Sequence, residues 1–329
     1  MARLLVFNPD HDYALAHGGP NYMAPASVKR LESSLALLPA IYGNDGDFIL
    51  KPDNHVVSIA SPSESIEVEN ISGEISEILP WGWNAALLRR LSLMSLDSRL
   101  LPSEEYIENL RRLSHRRISI AFNRFLNSPY IPDEIFSVEE GIKFMETYGS
   151  AFFKLPWSSG GRGVVTTREL SPSQVEEWLR GALRRQHSVL AEPAIDRVLD
   201  FASLWDVSPS EVRFCGWSVS LSDGRGKYDG NLYGSQDDLL AYIQRRIPGL
   251  NATELLLRQQ EFIRAEIAGK FVGVMGVDMM ADNQGTLYPC VEVNLRRTMG
   301  HVALSLPKAL NLRKYLLTEI PLPFFPVSK

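Results

Sequence analysis

Apolar residues along this chain come in short runs near both ends and in helix-spaced sets between them. Arg3 to Phe7 is a brief apolar run stopped by Asn8-Pro9-Asp10, the pattern of a buried strand entering a polar loop. Ala26 to Leu38 repeats apolar residues at helical spacing and ends before Pro39. Phe48 to Leu50 and Val56 to Ile59 read as further strands, and Leu87 to Leu96 and Ser103 to Leu113 as helices, the second capped by Ser103. The middle of the chain predicts helices over 118–126, 138–147 and 171–185, the last with Ser171 as cap and Pro172 in its first turn. Short strands at 151–155 and 189–192 lie between them. Beyond these, 212–221 is a strand, 235–246 and 252–268 are helices, and strands 272–280 and 287–294 flank the turn Asp282 to Gly285. Such a mixture is α/β or α+β.

Composition narrows the classes. A chain of 329 residues with 45% hydrophobic and 22% charged residues can bury a sizeable core. Its net charge of −5, with no long basic block, disfavours a nucleic-acid or membrane-surface binder. Cys215 and Cys290 lack the spacing of a zinc site or redox pair and read as buried thiols. No stretch approaches the roughly 20 apolar residues of a membrane span, and the start is too short for a signal peptide, so the expected location is cytoplasmic.

Two segments carry chemistry. In "AFFKLPWSSGGRGVV" (151–165) Lys154 sits among apolar residues, where an ammonium needs an anionic partner. Ser158, Ser159, Gly160, Gly161 and Gly163 follow, and glycines let backbone N–H groups approach and surround an anion such as phosphate. Neither GxxxxGK[ST] nor GxGxxG after a strand is present. In "GVDMMADNQGTLYPCVEVNLRRTMG" (276–300) Asp278, Glu292 and Asn294 converge if the two strands pair. Hard oxygen ligands of that kind suit Mg²⁺. Arg296 shares the parity of Glu292 and Asn294, so it stands ready for a substrate carboxylate or a transferring phosphoryl group. An edge lysine reaching into water, and an ordinary Glu292–Arg296 cross-strand salt bridge, are the alternative readings of the same residues.

Taken together, the lysine and glycine loop at 154–163, "LAEPAID" at 190–196 and "VEVNLR" at 291–296 resemble the ATP-grasp superfamily over roughly residues 115–305. The resemblance implies an ATP-grasp fold, two α+β subdomains clamping nucleotide, preceded by a small α/β unit: 1–114 N-terminal, 115–190 nucleotide subdomain, 191–329 metal-bearing subdomain. It implies ATP and Mg²⁺ as cofactors. Lys154, the loop Ser158 to Gly163 and Arg116 would contact phosphates, Glu192 the adenine amino group, the backbone of Ala194 and Ile195 the purine edge, and Asp200 (or Asp196) the ribose. Asp278, Glu292 and Asn294 would hold Mg²⁺, with Arg296 and Lys154 catalytic. Asp10 and Asp12, in a loop after the first strand, with Arg225 and Arg296, are assigned to substrate. The implied activity is a ligase joining a carboxylic acid to an amine through an acyl phosphate. A small-molecule kinase or a non-catalytic nucleotide-binding module are the alternatives. The expected partner is a small-molecule or peptide acceptor, not nucleic acid or membrane, with a homodimer left open.

Overall fold

The computed structural model describes residues 2–61, 64–158, 163–222, 228–312 and 323–327. Ser159, Gly160, Gly161 and Arg225 lie outside them.

The first unit is a five-stranded sheet. Its strands are β1 (Ala2–Val6), β2 (Phe48–Leu50), β3 (Val56–Ser58), β4 (Ser65–Ile66) and β5 (Ile75–Pro80), in the order β4-β3-β2-β1-β5. β1 is parallel to both its neighbours and buried at its centre, so Leu4, Leu5 and Val6 form an unbroken apolar run. Helices α1 (His11–His17), α2 (Ala26–Ser34), α3 (Ala85–Ser92) and α4 (Glu104–Leu113) accompany it. Ser103 caps α4 by accepting from the Tyr106 N–H, as its sequence predicts. The segment expected as a loop after β1 is instead helix α1: Ala14 and Leu15 pack inward and Gly18, in the left-handed region, ends it.

The second unit spans α5 (Ile118–Leu126), β6 (Asp133–Ile135), α6 (Val138–Tyr148), β7 (Ala151–Lys154), β8 (Val164–Thr166), α7 (Pro172–Gln186) and β9 (Val189–Pro193). Its antiparallel sheet runs β6-β9-β7-β8. Ser171 and Gln174 form a reciprocal capping box at the start of α7. Val175, Leu179 and Ala182 on that helix are buried with Ala151, Phe153, Val189 and Ala191 of the sheet, one apolar cluster between two layers.

The third unit is a six-stranded sheet ordered β14-β13-β10-β11-β12-β15. It contains β10 (Arg197–Val207), β11 (Val212–Ser222), β12 (Tyr228–Tyr233), helices α8 (Gln236–Gln244) and α9 (Ala252–Phe262), β13 (Gly273–Asp282), β14 (Leu287–Asn294), α10 (Met299–Leu312) and β15 (Phe324–Pro326). β10 is central, and its residues 201–205 are all buried, so it lacks the alternation that marks a strand in sequence. α10 was equally hidden, because Pro307 interrupts an otherwise apolar pattern. Its Val302 and Leu306 join Phe7 and Trp81 in a cluster that ties the first unit to the third.

Candidate active site

Lys154 is not an edge lysine. It is 8% exposed, and its Nζ donates to Glu192 Oε2 at 2.5 Å. The two residues belong to the neighbouring strands β7 and β9, where Phe152 faces Glu192 in register and Lys154 stands two positions along on the same face. The anionic partner that the buried lysine requires is therefore Glu192. Glu192 Oε1 is also buried and has no hydrogen-bond partner among the described residues, so half of this carboxylate is unused.

After Lys154 the chain leaves β7 and returns as β8, with the Leu155 N–H on the Gly163 carbonyl closing the neck of the loop. Gly163 has φ +81°, and a Cβ there would stand 2.8 Å from Leu155 Cδ1, so only glycine fits. Ser158 is buried, and Trp157 fixes the loop base by exchanging hydrogen bonds with Gln186 and donating Nε1–H to the Arg111 carbonyl.

On the third unit, strands β13 and β14 pair as the hairpin pattern predicts, placing Asp278 opposite Glu292 and Gly276 opposite Asn294. Asn294 Nδ2 donates to Asp278 Oδ2 at 2.8 Å. Asp200, opposite Met280 on β10, shares their face, so Asp200, Asp278, Glu292 and Asn294 project from one side of the sheet. Burial, and then the charge of Glu292, push the Asp278 carboxyl up to about 7. Asp200 is engaged by Arg197 at 3.1 Å and by the Ser222 hydroxyl at 2.8 Å. Asp196 pairs with Arg168 at the surface, and the Ala194 carbonyl accepts from the same arginine.

The Glu292–Arg296 cross-strand bridge does not form. Glu292 Oε1 instead accepts from Arg116 at 2.7 Å, and Arg296 is bound to Asp12 at 2.9 Å, joining the end of β14 to helix α1. Burial opposes the charge on Asp12, but Arg296, and secondarily His11, hold its carboxyl below the usual range. Asp10, the residue before α1, is pushed the other way by burial. Gly82 makes this corner feasible, since a Cβ there would meet the His11 ring at 2.5 Å. Arg297 N–H to the Trp81 carbonyl at 2.8 Å completes the junction.

These parts face one another. Arg116 joins them, its guanidinium bonding the Leu155 carbonyl and Ser158 at the loop base and Glu292 Oε1 on β14, and the Cys290 thiol is raised by burial first and then by Asp278, Glu192 and Glu292. Between the sheets a cavity lined by Glu192, Ile195, Tyr130, Met280 and Cys290 holds about 10 Å³, the space of one water. Tyr130, in the turn before β6, carries no signal in sequence because it reaches this cavity only through the packing of distant residues. Cys215, expected to be buried, is partly exposed.

The residues present fit a hard divalent cation. Asp278 and Glu292 stand opposite each other, and a cation between them would offset the burial and the Glu292 charge that together raise Asp278. No three His, Cys, Asp or Glu side chains gather into a metal cluster among the described residues, so the protein would supply two carboxylates and the Asn294 amide, leaving other positions to water and phosphate oxygens.

No family model and no curated protein sequence matches the chain. Solved structures do. D-alanyl-alanine synthetase A from Vibrio cholerae superposes with a TM-score of 0.50 over 97% of each chain at 13% identity. Biotin carboxylase from Campylobacter jejuni, in a β,γ-ATP complex, gives 0.53 over 92% of this chain and 67% of that one at 14% identity. The biotin carboxylase domain dimer of Hydrogenobacter thermophilus 2-oxoglutarate carboxylase, with MgADP, ADP and bicarbonate, gives 0.50 over 97% and 72% at 15% identity. The protein thus has the ATP-grasp fold. Among the described residues, no helix is long and apolar enough to cross a membrane.

Proposed function

We propose that this protein is an ATP- and Mg²⁺-dependent ligase joining a carboxylic acid to an amine or similar nucleophile. The observation that carries the reading is that Arg116 bonds both Ser158, at the base of the loop after Lys154, and Glu292 of the hairpin, so the Lys154–Glu192 pair and the Asp278–Glu292 pair face one another. The structural neighbours support the class, because D-alanyl-alanine synthetase, biotin carboxylase and its MgADP-bound relative share the fold.

On this reading residues 1–114 shape the acceptor side, while 115–190 and 191–329 clamp the nucleotide. Glu192, with its free Oε1, and the Ala194–Ile195 backbone take the base, and Asp200 the ribose. Lys154 turns from Glu192 to the phosphates beneath the loop from Ser158 to Gly163. Mg²⁺ held by Asp278, Glu292 and Asn294 would neutralise phosphate charge. A carboxylate is a poor acyl donor, so the acid oxygen first takes the γ-phosphoryl group and ADP leaves. The amine then attacks the acyl carbon, phosphate departs and the amine proton is lost. Arg296, positioned by Asp12, stabilises charge on the reacting carboxyl and phosphoryl oxygens, and Asp10 lies toward the acceptor.

The test is to incubate the protein with ATP, Mg²⁺, pooled carboxylic acids and hydroxylamine. Hydroxamate formed together with ADP supports the acyl phosphate. ADP accompanied by a stable phosphorylated alcohol, and no hydroxamate, would make it a kinase.

A further inference from the structure

Arg116 touches both sides of the site. It is 5% exposed, and its backbone N–H donates to the Pro156 carbonyl at 3.1 Å. One guanidinium nitrogen donates to the Leu155 carbonyl and to Ser158 Oγ at 2.6 Å. The other reaches the Ser158 carbonyl at 3.2 Å and Glu292 Oε1 at 2.7 Å. One planar fork therefore grips the base of the glycine loop and a carboxylate of the hairpin, a span that a lysine's single ammonium does not reproduce.

We propose that Arg116 is the exchangeable counter-charge of Glu292: without a divalent cation it neutralises this carboxylate and ties it to Ser158, and a cation binding at Glu292 displaces it. The inference rests on Glu292 being a metal ligand. A dication on the oxygen that Arg116 now occupies would stand in contact with a like charge, and at that distance Coulomb repulsion expels one of the two. Leu155 and Ser158 offer the released guanidinium three acceptors on the loop, so it moves without becoming an unpaired buried charge. Metal occupancy and the position of the loop base are then coupled through one side chain.

The experiment uses the full chain without nucleotide and counts free Mn²⁺ by electron paramagnetic resonance. Arg116→Gln should bind Mn²⁺ about tenfold more tightly than the wild type, the equivalent of about 1.4 kcal/mol. Arg116→Lys should fall between the two and carries the test if the glutamine variant does not fold. Glu292→Gln should bind none. Equal or weaker binding by the Arg116 variants, with binding still lost in Glu292→Gln, would overturn the exchange and leave the metal site standing. No Mn²⁺ binding by the wild type or either Arg116 variant would remove the metal role of Glu292, and the exchange with it.

Discussion

The two halves of the candidate site solve the same electrostatic problem differently. On the smaller sheet a lysine and a glutamate, both nearly buried, neutralise each other across adjacent strands at 2.5 Å. On the larger sheet two carboxylates face each other, and the cations nearby come from elsewhere: Arg116 from the start of α5, and Arg296 already committed to Asp12. The first arrangement is balanced within one sheet. The second is short of positive charge, so on the proposed reading it is where a cation would bind.

Breaking the balanced pair should have the largest effect. Lys154→Ala strands a buried carboxylate and should cost about 3–5 kcal/mol in chemical denaturation. Lys154→Met combined with Glu192→Leu should recover most of that loss, because no uncompensated charge remains. The hairpin should respond with the opposite sign: Asp278→Asn removes a like-charge contact and should raise the stability of the metal-free protein by about 1–3 kcal/mol at pH 8.

The pH dependence sharpens the contrast. Burial holds His11 down to about 4, and burial, with Arg117 adding to it, does the same to His115. The unfolded chain therefore takes up these protons first, and stability is lost as pH falls from 6.5 toward 4. Asp278 acts in reverse, since its folded carboxyl stays protonated up to about 7 and the stability this brings is lost as pH rises from 4 to 7. Thermal melts should show the wild type weakening toward pH 5 and Asp278→Asn weakening more steeply, its opposing contribution having been removed. The smallest change belongs to Arg197→Ala at the half-exposed Asp200 pair, which should shift stability by less than about 0.5 kcal/mol.

Local chemistry made part of this legible in sequence. Ser103 and Ser171 announce their helices by their caps, and the period-2 spacing of Glu292 and Asn294 puts both on one face of β14, whereas Arg296, which shares their parity, lies past the strand's end. What stayed hidden depends on distant partners. β10 is buried on both faces and carries no alternation, and α10 is masked by Pro307. Arg116 with Glu292 and Arg296 with Asp12 join residues 176 and 284 positions apart, so no spacing rule pairs them. The Lys154–Glu192 pair lies between: sequence demanded an anion for the lysine, and only the β7–β9 register shows which one.

The central claim is that both halves serve one nucleotide–metal site, and calorimetric titration with a non-hydrolysable ATP analogue, with and without Mg²⁺, tests it most directly. Binding should need Mg²⁺ and should be lost alike in the Lys154→Met/Glu192→Leu double variant and in Glu292→Gln, each checked for folding. Equal affinity in chelator, or loss in only one of the two variants, would contradict it.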